Sequence, residues 1–86
     1  MVGGDDPAEQ TREVLRKIAA ALGEAGASLG DVVRTRIYLT AADDWEAVGR
    51  VHGEVFATVR PAASMLVVGL LDPRMRVEIE AVAHVA

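Results

Sequence analysis

Two glutamates near the C-terminal end of the chain, Glu78 and Glu80, alternate with apolar residues in the segment 76–85. Such alternation is typical of a strand with one polar face, so both carboxylates are expected on one side of a sheet. A carboxylate placed there can act as a general base toward water. It can equally form a cross-strand ion pair with Arg34 or Arg36, and both roles of Glu78 stay open.

A second segment with chemical potential, residues 60–65, reads Arg-Pro-Ala-Ala-Ser-Met. The guanidinium of Arg60 can fork onto a carboxylate, or it can be a solvated group ahead of Pro61. Ser64 lies in no G-x-S-x-G elbow, so the sequence does not indicate a serine nucleophile. Arg60 is therefore a candidate ligand-binding residue.

The sequence contains no recognisable motif for binding a metal or a cofactor. There is no cysteine, which excludes disulfides, thiolate catalysis and cysteine-based zinc sites. His52 and His84 belong to no metal-binding pattern. We therefore expect neither a metal nor a cofactor.

Charge and hydropathy restrict the partners. Thirteen acidic residues face nine scattered basic ones, and nucleic-acid binding needs clustered basic residues, so no nucleic-acid partner is expected. No apolar run approaches the roughly 18 residues of a membrane span. Met1 leads directly into Val-Gly-Gly-Asp-Asp, which is unlike a signal peptide. A cytoplasmic protein without membrane contact is the expectation.

The hydrophobic periodicity predicts five elements in the order α-β-α-β-β. They are a helix over 7–25 capped by Asp6, a strand over 32–39, a helix over 44–57 capped by Asp43, and strands over 64–68 and 76–85. Such an order favours an α+β domain with both helices on one face of a mixed sheet. The last two strands are expected to form a hairpin.

The two faces of the predicted sheet differ in composition. Val33, Ile37, Val77 and Ile79 are expected beneath the helices, with Trp45 as a core anchor. The opposite face receives Arg34, Arg36, Tyr38, Glu78 and Glu80, with apolar area from Val32, Val82 and Leu66 or Met65. That face could be wet or could be a subunit interface, and the small size and 51% apolar content of the chain favour an interface.

The segment 60–65, followed after a turn by Val-Glu-Ile-Glu-Ala over 77–81, resembles the signature of the Rid (YjgF-like) family of reactive-intermediate deaminases, sometimes labelled endoribonuclease L-PSP. The resemblance implies a chorismate-mutase-like α+β domain and a homotrimer with ligand clefts between subunits. It also implies that residues 1–86 form a single domain lacking the family's N-terminal hairpin, which supplies cleft residues.

Site residues follow from the resemblance position by position. Glu78 matches the glutamate that positions the hydrolytic water in the family. Ala63 stands where family deaminases carry a carboxylate-binding arginine, and Met65 stands where many carry cysteine. Ala63, Met65 and Arg60 are thus the expected pocket positions. Alanine provides neither charge nor donor, so deaminase activity is expected to be weakened or lost.

Three functions stay open at this point. The first is a trimeric Rid-like protein with an intersubunit pocket for a small metabolite such as a keto or imino acid. The second is an active enamine/imine deaminase, a hydrolase that converts reactive imino acids into keto acids and ammonia. The third is a non-catalytic structural or interaction protein.

Overall fold

The computed structural model of the protein describes residues 6–85, whose elements follow the predicted order α-β-α-β-β. The helices are α1 (Pro7–Glu24) and α2 (Trp45–Val55), and the strands are β1 (Val32–Leu39), β2 (Ala62–Val67) and β3 (Val77–Ala83). Residues 1–5, from which the absence of a signal peptide was inferred, and residue 86 lie outside the described part. No helix within residues 6–85 has the length and apolar character needed to cross a membrane.

Helix α1 begins and ends as its sequence predicts. The Asp6 carboxylate accepts a hydrogen bond from the backbone N–H of Ala8 at 2.9 Å, which satisfies a donor that the helix cannot pair internally. At the other end Gly26 has a φ of +83°, and the N–H of Ala27 donates to the Leu22 carbonyl at 2.7 Å. This is a Schellman ending, which requires the left-handed conformation that glycine adopts at little cost.

The three strands form one mixed sheet in the order β2-β1-β3. Strand β1 is central, pairing parallel with β2 and antiparallel with β3. The predicted hairpin between the last two strands is therefore wrong. Residues 68–76 connect them, which is longer than the two to five residues of a typical hairpin loop and long enough to carry the chain past β1.

The core lies between the helices and one face of the sheet, confirming the predicted layers. Its buried apolar residues are Leu15, Val32, Ile37, Leu39, Val48, Val51, Phe56, Val77 and Ile79. Helix α1 packs on α2 and on β3. Because the apolar residues of each helix recur at steps of three and four, each helix presents one continuous face to the sheet.

The start of β1 contradicts the predicted alternation. Val32 is 3% exposed and lies in the core, whereas Val33 is 51% exposed. The pairing of β1 with β3 shifts register between Val32 and Arg34, and an extra residue at such an irregularity inverts the side-chain alternation. Ile37 lies on the helix-covered face as predicted, because it follows the irregularity.

Helix α2 is shorter than predicted, and its first turn is arranged differently. A 3-10 turn over Ala42–Asp44 precedes it, and the N-cap is Asp44, whose side chain caps no backbone N–H, rather than Asp43. Trp45 is 58% exposed, so its predicted role as a core anchor is wrong. Helical side chains lean toward the N-terminus, so a residue in the first turn projects beyond the helix end.

Candidate functional site

A tight turn after α2 places Arg60 next to the start of β2. The backbone N–H of Arg60 donates to the Phe56 carbonyl at 3.0 Å, and Arg60 has a φ of +52°. Left-handed backbone is unfavourable for a residue with a Cβ, and the residue before a proline ordinarily prefers an extended conformation. The turn therefore holds Arg60 in a strained conformation, as is common at ligand-binding sites.

A concavity of about 460 Å³ lies between this turn, α2 and β2, and we call it the α2–β2 concavity. Its size falls within the range of small-molecule pockets. Its lining consists of His52, Gly53, Phe56, Ala57, Arg60, Pro61 and Ala63. Two of the three pocket positions expected from the sequence, Arg60 and Ala63, thus line the same space.

The charge of the α2–β2 concavity comes from Arg60. No carboxylate of residues 6–85 is among its lining residues. Within residues 6–85, Arg60 forms no ion pair. The Arg60 guanidinium lies beside apolar walls and is not neutralised by the protein, which favours an anionic ligand. A carboxylate matches the planar fork of the guanidinium.

His52 forms the polar part of the concavity wall. Its Nε2 lies 2.8 Å from the Thr35 hydroxyl, and its ring packs against Phe56 with centroids 4.7 Å apart and planes inclined by 42°. Burial lowers the pKa of His52 below its ordinary value of 6.5, so the neutral imidazole is favoured. The sequence analysis assigned His52 no role. Thr35, a polar residue at an inward-facing position of β1, was a sequence feature that could have indicated a polar partner for it.

Met65, the third expected pocket position, is not among the residues that line the concavity. A methyl group placed on Gly49 of α2 would lie 3.8 Å from Met65 Cε. The long methionine side chain therefore packs over the site where the helix has no side chain.

Glu78 lies on the other side of the sheet. It is exposed, and its direct strand partner is Tyr38, which pairs in turn with Leu66. Ala63 pairs with Thr35, whose side chain reaches His52 beneath the helices. Because side chains alternate between faces, one chain does not bring Glu78 together with Ala63 and Arg60.

The uncovered face of the sheet holds the predicted arginines and glutamates without joining them in pairs. Arg36 stands directly opposite Glu80 in the antiparallel register, whereas Glu78 stands opposite Tyr38. However, no ion pair links Arg34 or Arg36 to either glutamate within residues 6–85, so the predicted cross-strand salt bridges are wrong. A shallow depression of about 120 Å³ lies instead between Arg34, Arg36, Glu80 and Val82. Side chains this long and exposed gain little from pairing in water.

Metal ligands do not converge in the part of the chain that is described. Residues 6–85 contain no group of three or more histidine, aspartate or glutamate side chains placed to hold a metal ion. The functional groups available for chemistry are therefore the guanidinium of Arg60, the neutral imidazole of His52 and, on the opposite face of the sheet, the carboxylate of Glu78.

Comparison with known proteins shows similarity to a protein family and to individual relatives. A family profile described as Endoribonuclease L-PSP matches residues 1–85. An uncharacterized protein of Streptomyces coelicolor is 40% identical over 85 residues, which cover 98% of this chain and 63% of that protein. The 3-aminoacrylate deaminase RutC of Acinetobacter baylyi is 44% identical over 80 residues, covering 93% of this chain and 64% of RutC.

Solved structures agree with this similarity. A crystal structure from Mycobacterium tuberculosis, described as a member of the highly conserved YjgF/YER057c/UK114 family, superposes with a TM-score of 0.92 and 55% identity. The match covers 96% of this chain and 71% of that one. A YjgF-family structure from Neisseria meningitidis gives a TM-score of 0.89 at 34% identity, covering 94% of this chain and 69% of that one. The chain spans less than two thirds of the length of the Streptomyces and Acinetobacter relatives.

Proposed function

The chain belongs to the Rid (YjgF-like) family, described as endoribonuclease L-PSP, and from this premise we propose that it binds a small metabolite carrying a carboxylate in the α2–β2 concavity. Deaminase activity is weak or absent in this proposal. The observation that carries it is the charge of the concavity: of the described residues 6–85, Arg60 lines it and no carboxylate does.

Arg60 would take the part that Ala63 cannot perform. Both residues line the same space, separated by Pro61 and Ala62 in the chain. A guanidinium that enters from the turn rather than from the strand would bind a carboxylate by the same forked hydrogen bonds. It would hold that carboxylate at a different place, so a substrate would lie differently relative to a water-positioning glutamate.

A second copy of the chain would complete the site. The α2–β2 concavity and Glu78 lie on opposite faces of one sheet, so a site that uses both draws them from two subunits. The uncovered face carries Leu66 and Val82, which are 44% and 56% exposed. Exposed apolar side chains on a sheet face of a small domain favour self-association. We accordingly propose a homotrimer with the ligand bound between subunits.

A second candidate is an active enamine/imine deaminase, favoured by the 44% identity to a protein named 3-aminoacrylate deaminase. In this case Glu78 of a neighbouring copy orients a water molecule that adds to the C=N carbon of the substrate. The tetrahedral adduct then releases ammonia and leaves the keto acid. Glu78 would act as a general base, which depends on its reaching the concavity of another subunit.

Two measurements on the same sample separate these candidates. Calorimetric titration with 2-oxobutyrate tests the binding site, and release of ammonia from imino acids generated in situ tests the deaminase. Binding without ammonia release supports the leading proposal. Ammonia release that is lost in Glu78→Gln supports the second candidate. Absence of both binding and turnover would refute both and leave a structural or interaction protein.

A further inference from the structure

His52 has one ring nitrogen bonded and one directed away from that bond. Nε2 is 2.8 Å from the Thr35 hydroxyl, while Nδ1 has no hydrogen-bond partner among residues 6–85. No side-chain nitrogen or oxygen in this part of the chain is both sealed from solvent and without a partner. Nδ1 is therefore accessible, in a residue that is only 9% exposed and that lines the α2–β2 concavity.

The hydrogen-bond partners available to the Thr35 hydroxyl determine which ring nitrogen of His52 carries the proton. Thr35 is 1% exposed, and its hydroxyl has His52 as its hydrogen-bond partner within residues 6–85. If Nε2–H donated to the hydroxyl, the buried hydroxyl hydrogen would have no acceptor, which is unfavourable. The hydroxyl therefore donates to Nε2. Because burial also favours the neutral ring by lowering the pKa of His52, the single ring proton lies on Nδ1.

His52 and Arg60 both line the α2–β2 concavity, so one small ligand bound there can meet both side chains. The Nδ1–H group of His52 needs an acceptor, and the guanidinium of Arg60 needs an anion. A small keto acid satisfies both, because an oxygen acceptor stands next to its carboxylate. A simple carboxylic acid of the same length satisfies only Arg60.

We propose that His52 is a ligand-binding residue that donates from Nδ1–H to the keto oxygen of a small 2-oxo acid, and that Thr35 holds the ring in the tautomer that this requires. The inference rests on the proposed function, since it takes the α2–β2 concavity as the carboxylate site. His52 contacts the ligand, whereas Thr35 is a positioning residue that acts through His52.

The test compares 2-oxobutyrate with butyrate, which differ in the keto oxygen alone. We expect the protein to bind 2-oxobutyrate about 3- to 10-fold more tightly by calorimetric titration, the range expected for one hydrogen bond. His52→Phe keeps an aromatic ring against Phe56 and removes the donor, so the preference for 2-oxobutyrate over butyrate should vanish. His84→Phe, at an exposed position, is the matched control and should retain the preference.

Thr35 variants test the tautomer without relying on folding of His52→Phe. Nitrogen-15 NMR of the imidazole should show the proton on Nδ1 in the unaltered protein. Thr35→Val removes the hydroxyl at nearly constant volume, so the proton should redistribute toward Nε2 and the preference for 2-oxobutyrate should fall. Thr35→Ser retains a hydroxyl and should restore both properties. A merely structural role of Thr35 would lower stability without moving the tautomer.

The outcomes separate this inference from the proposed function. Equal affinity for the two acids, a preference that survives in His52→Phe, or a proton on Nε2 in the unaltered protein would each overturn the role of His52 while leaving the carboxylate site in place. Absence of binding by either acid would overturn the proposed function, and this inference with it.

Discussion

The carboxylate of Asp44 is held by two nitrogens of Arg76, with Nε 3.0 Å from Oδ2 and Nη2 2.9 Å from Oδ1. Asp44 is buried just before α2, and Arg76 comes just before β3. Gln10 of α1 joins this arrangement, because its Oε1 accepts from the Arg76 backbone N–H at 2.9 Å. The pair thus links the helix layer to the start of β3, which carries Glu78.

Removing one partner of this ion pair should destabilise the fold. Arg76→Met would leave the buried Asp44 carboxylate without its guanidinium, and we expect a loss of about 2–3 kcal/mol in the free energy of unfolding, less than for a fully enclosed pair because Arg76 is partly exposed. Urea unfolding measures the loss. Arg74→Met removes the guanidinium of the more exposed Asp72–Arg74 pair and is the matched control, with little change in midpoint expected. Equal effects of the two variants would contradict the assignment.

The folded protein should lose stability in mild acid through His52. Burial lowers the pKa of His52, so between its ordinary pKa of 6.5 and its lower folded value the unfolded chain binds more protons than the folded one. Above about pH 6.5, His52 is neutral in both states and protonation takes nothing from the free energy of unfolding. As the pH decreases through that window, the free energy of unfolding falls. Urea midpoints measured between about pH 7 and pH 5 should decline, and the decline should be smaller in His52→Phe than in His84→Phe. An identical decline in both variants would contradict this cause.

Arg60→Gly should separate stability from binding. Glycine adopts the φ of +52° without a Cβ penalty, although it costs more backbone entropy on folding, so unfolding should become harder by up to about 1 kcal/mol. Binding of 2-oxobutyrate and butyrate should be lost together, because both depend on the guanidinium. Arg50→Gln, which removes an exposed cation from α2, serves as the binding control. Retained binding in Arg60→Gly would exclude Arg60 as the carboxylate-binding residue.

Ala63→Arg should increase affinity for simple carboxylates. Ala63 lines the α2–β2 concavity, so a second guanidinium there would add forked hydrogen bonds, and we expect butyrate to bind about tenfold more tightly. Ala20→Arg adds the same charge at an exposed position of α1 and is the matched control. Equal gains in both variants would show a general effect of charge rather than a site.

The uncovered face of the sheet should be the surface of self-association. Leu66 and Val67 are neighbours on β2, 44% and 59% exposed, and their side chains point to opposite faces. Leu66→Asp should lower the mass measured by light scattering toward that of one 9.1 kDa chain, whereas Val67→Asp should leave the mass unchanged. If Val67→Asp is the variant that dissociates the protein, the interface lies on the helix side of β2 instead.

Much of the architecture could be predicted because it depends on local pattern. Asp6 and Gly26 mark the ends of α1 through capping and through φ, which act within a few residues. The period-two alternation placed Ile37 and Ile79 in the core. The signature over 60–65 and 77–81 indicated the family, which the match over residues 1–85 confirms.

The tertiary structure decided what depends on residues distant in the chain. The irregularity at Val33, the exposure of Trp45 and the central position of β1 follow from which elements pack together, and local alternation contains no information about them. The same is true of the candidate site. The sequence identified Arg60, Ala63 and Glu78 as residues of interest and predicted that Glu78 lies on the uncovered face. Only the tertiary structure brings Arg60 and Ala63 together with His52 on the other side of the sheet. The hydrogen bond between Thr35 and His52 joins positions 17 residues apart and exists only because α2 packs on β1.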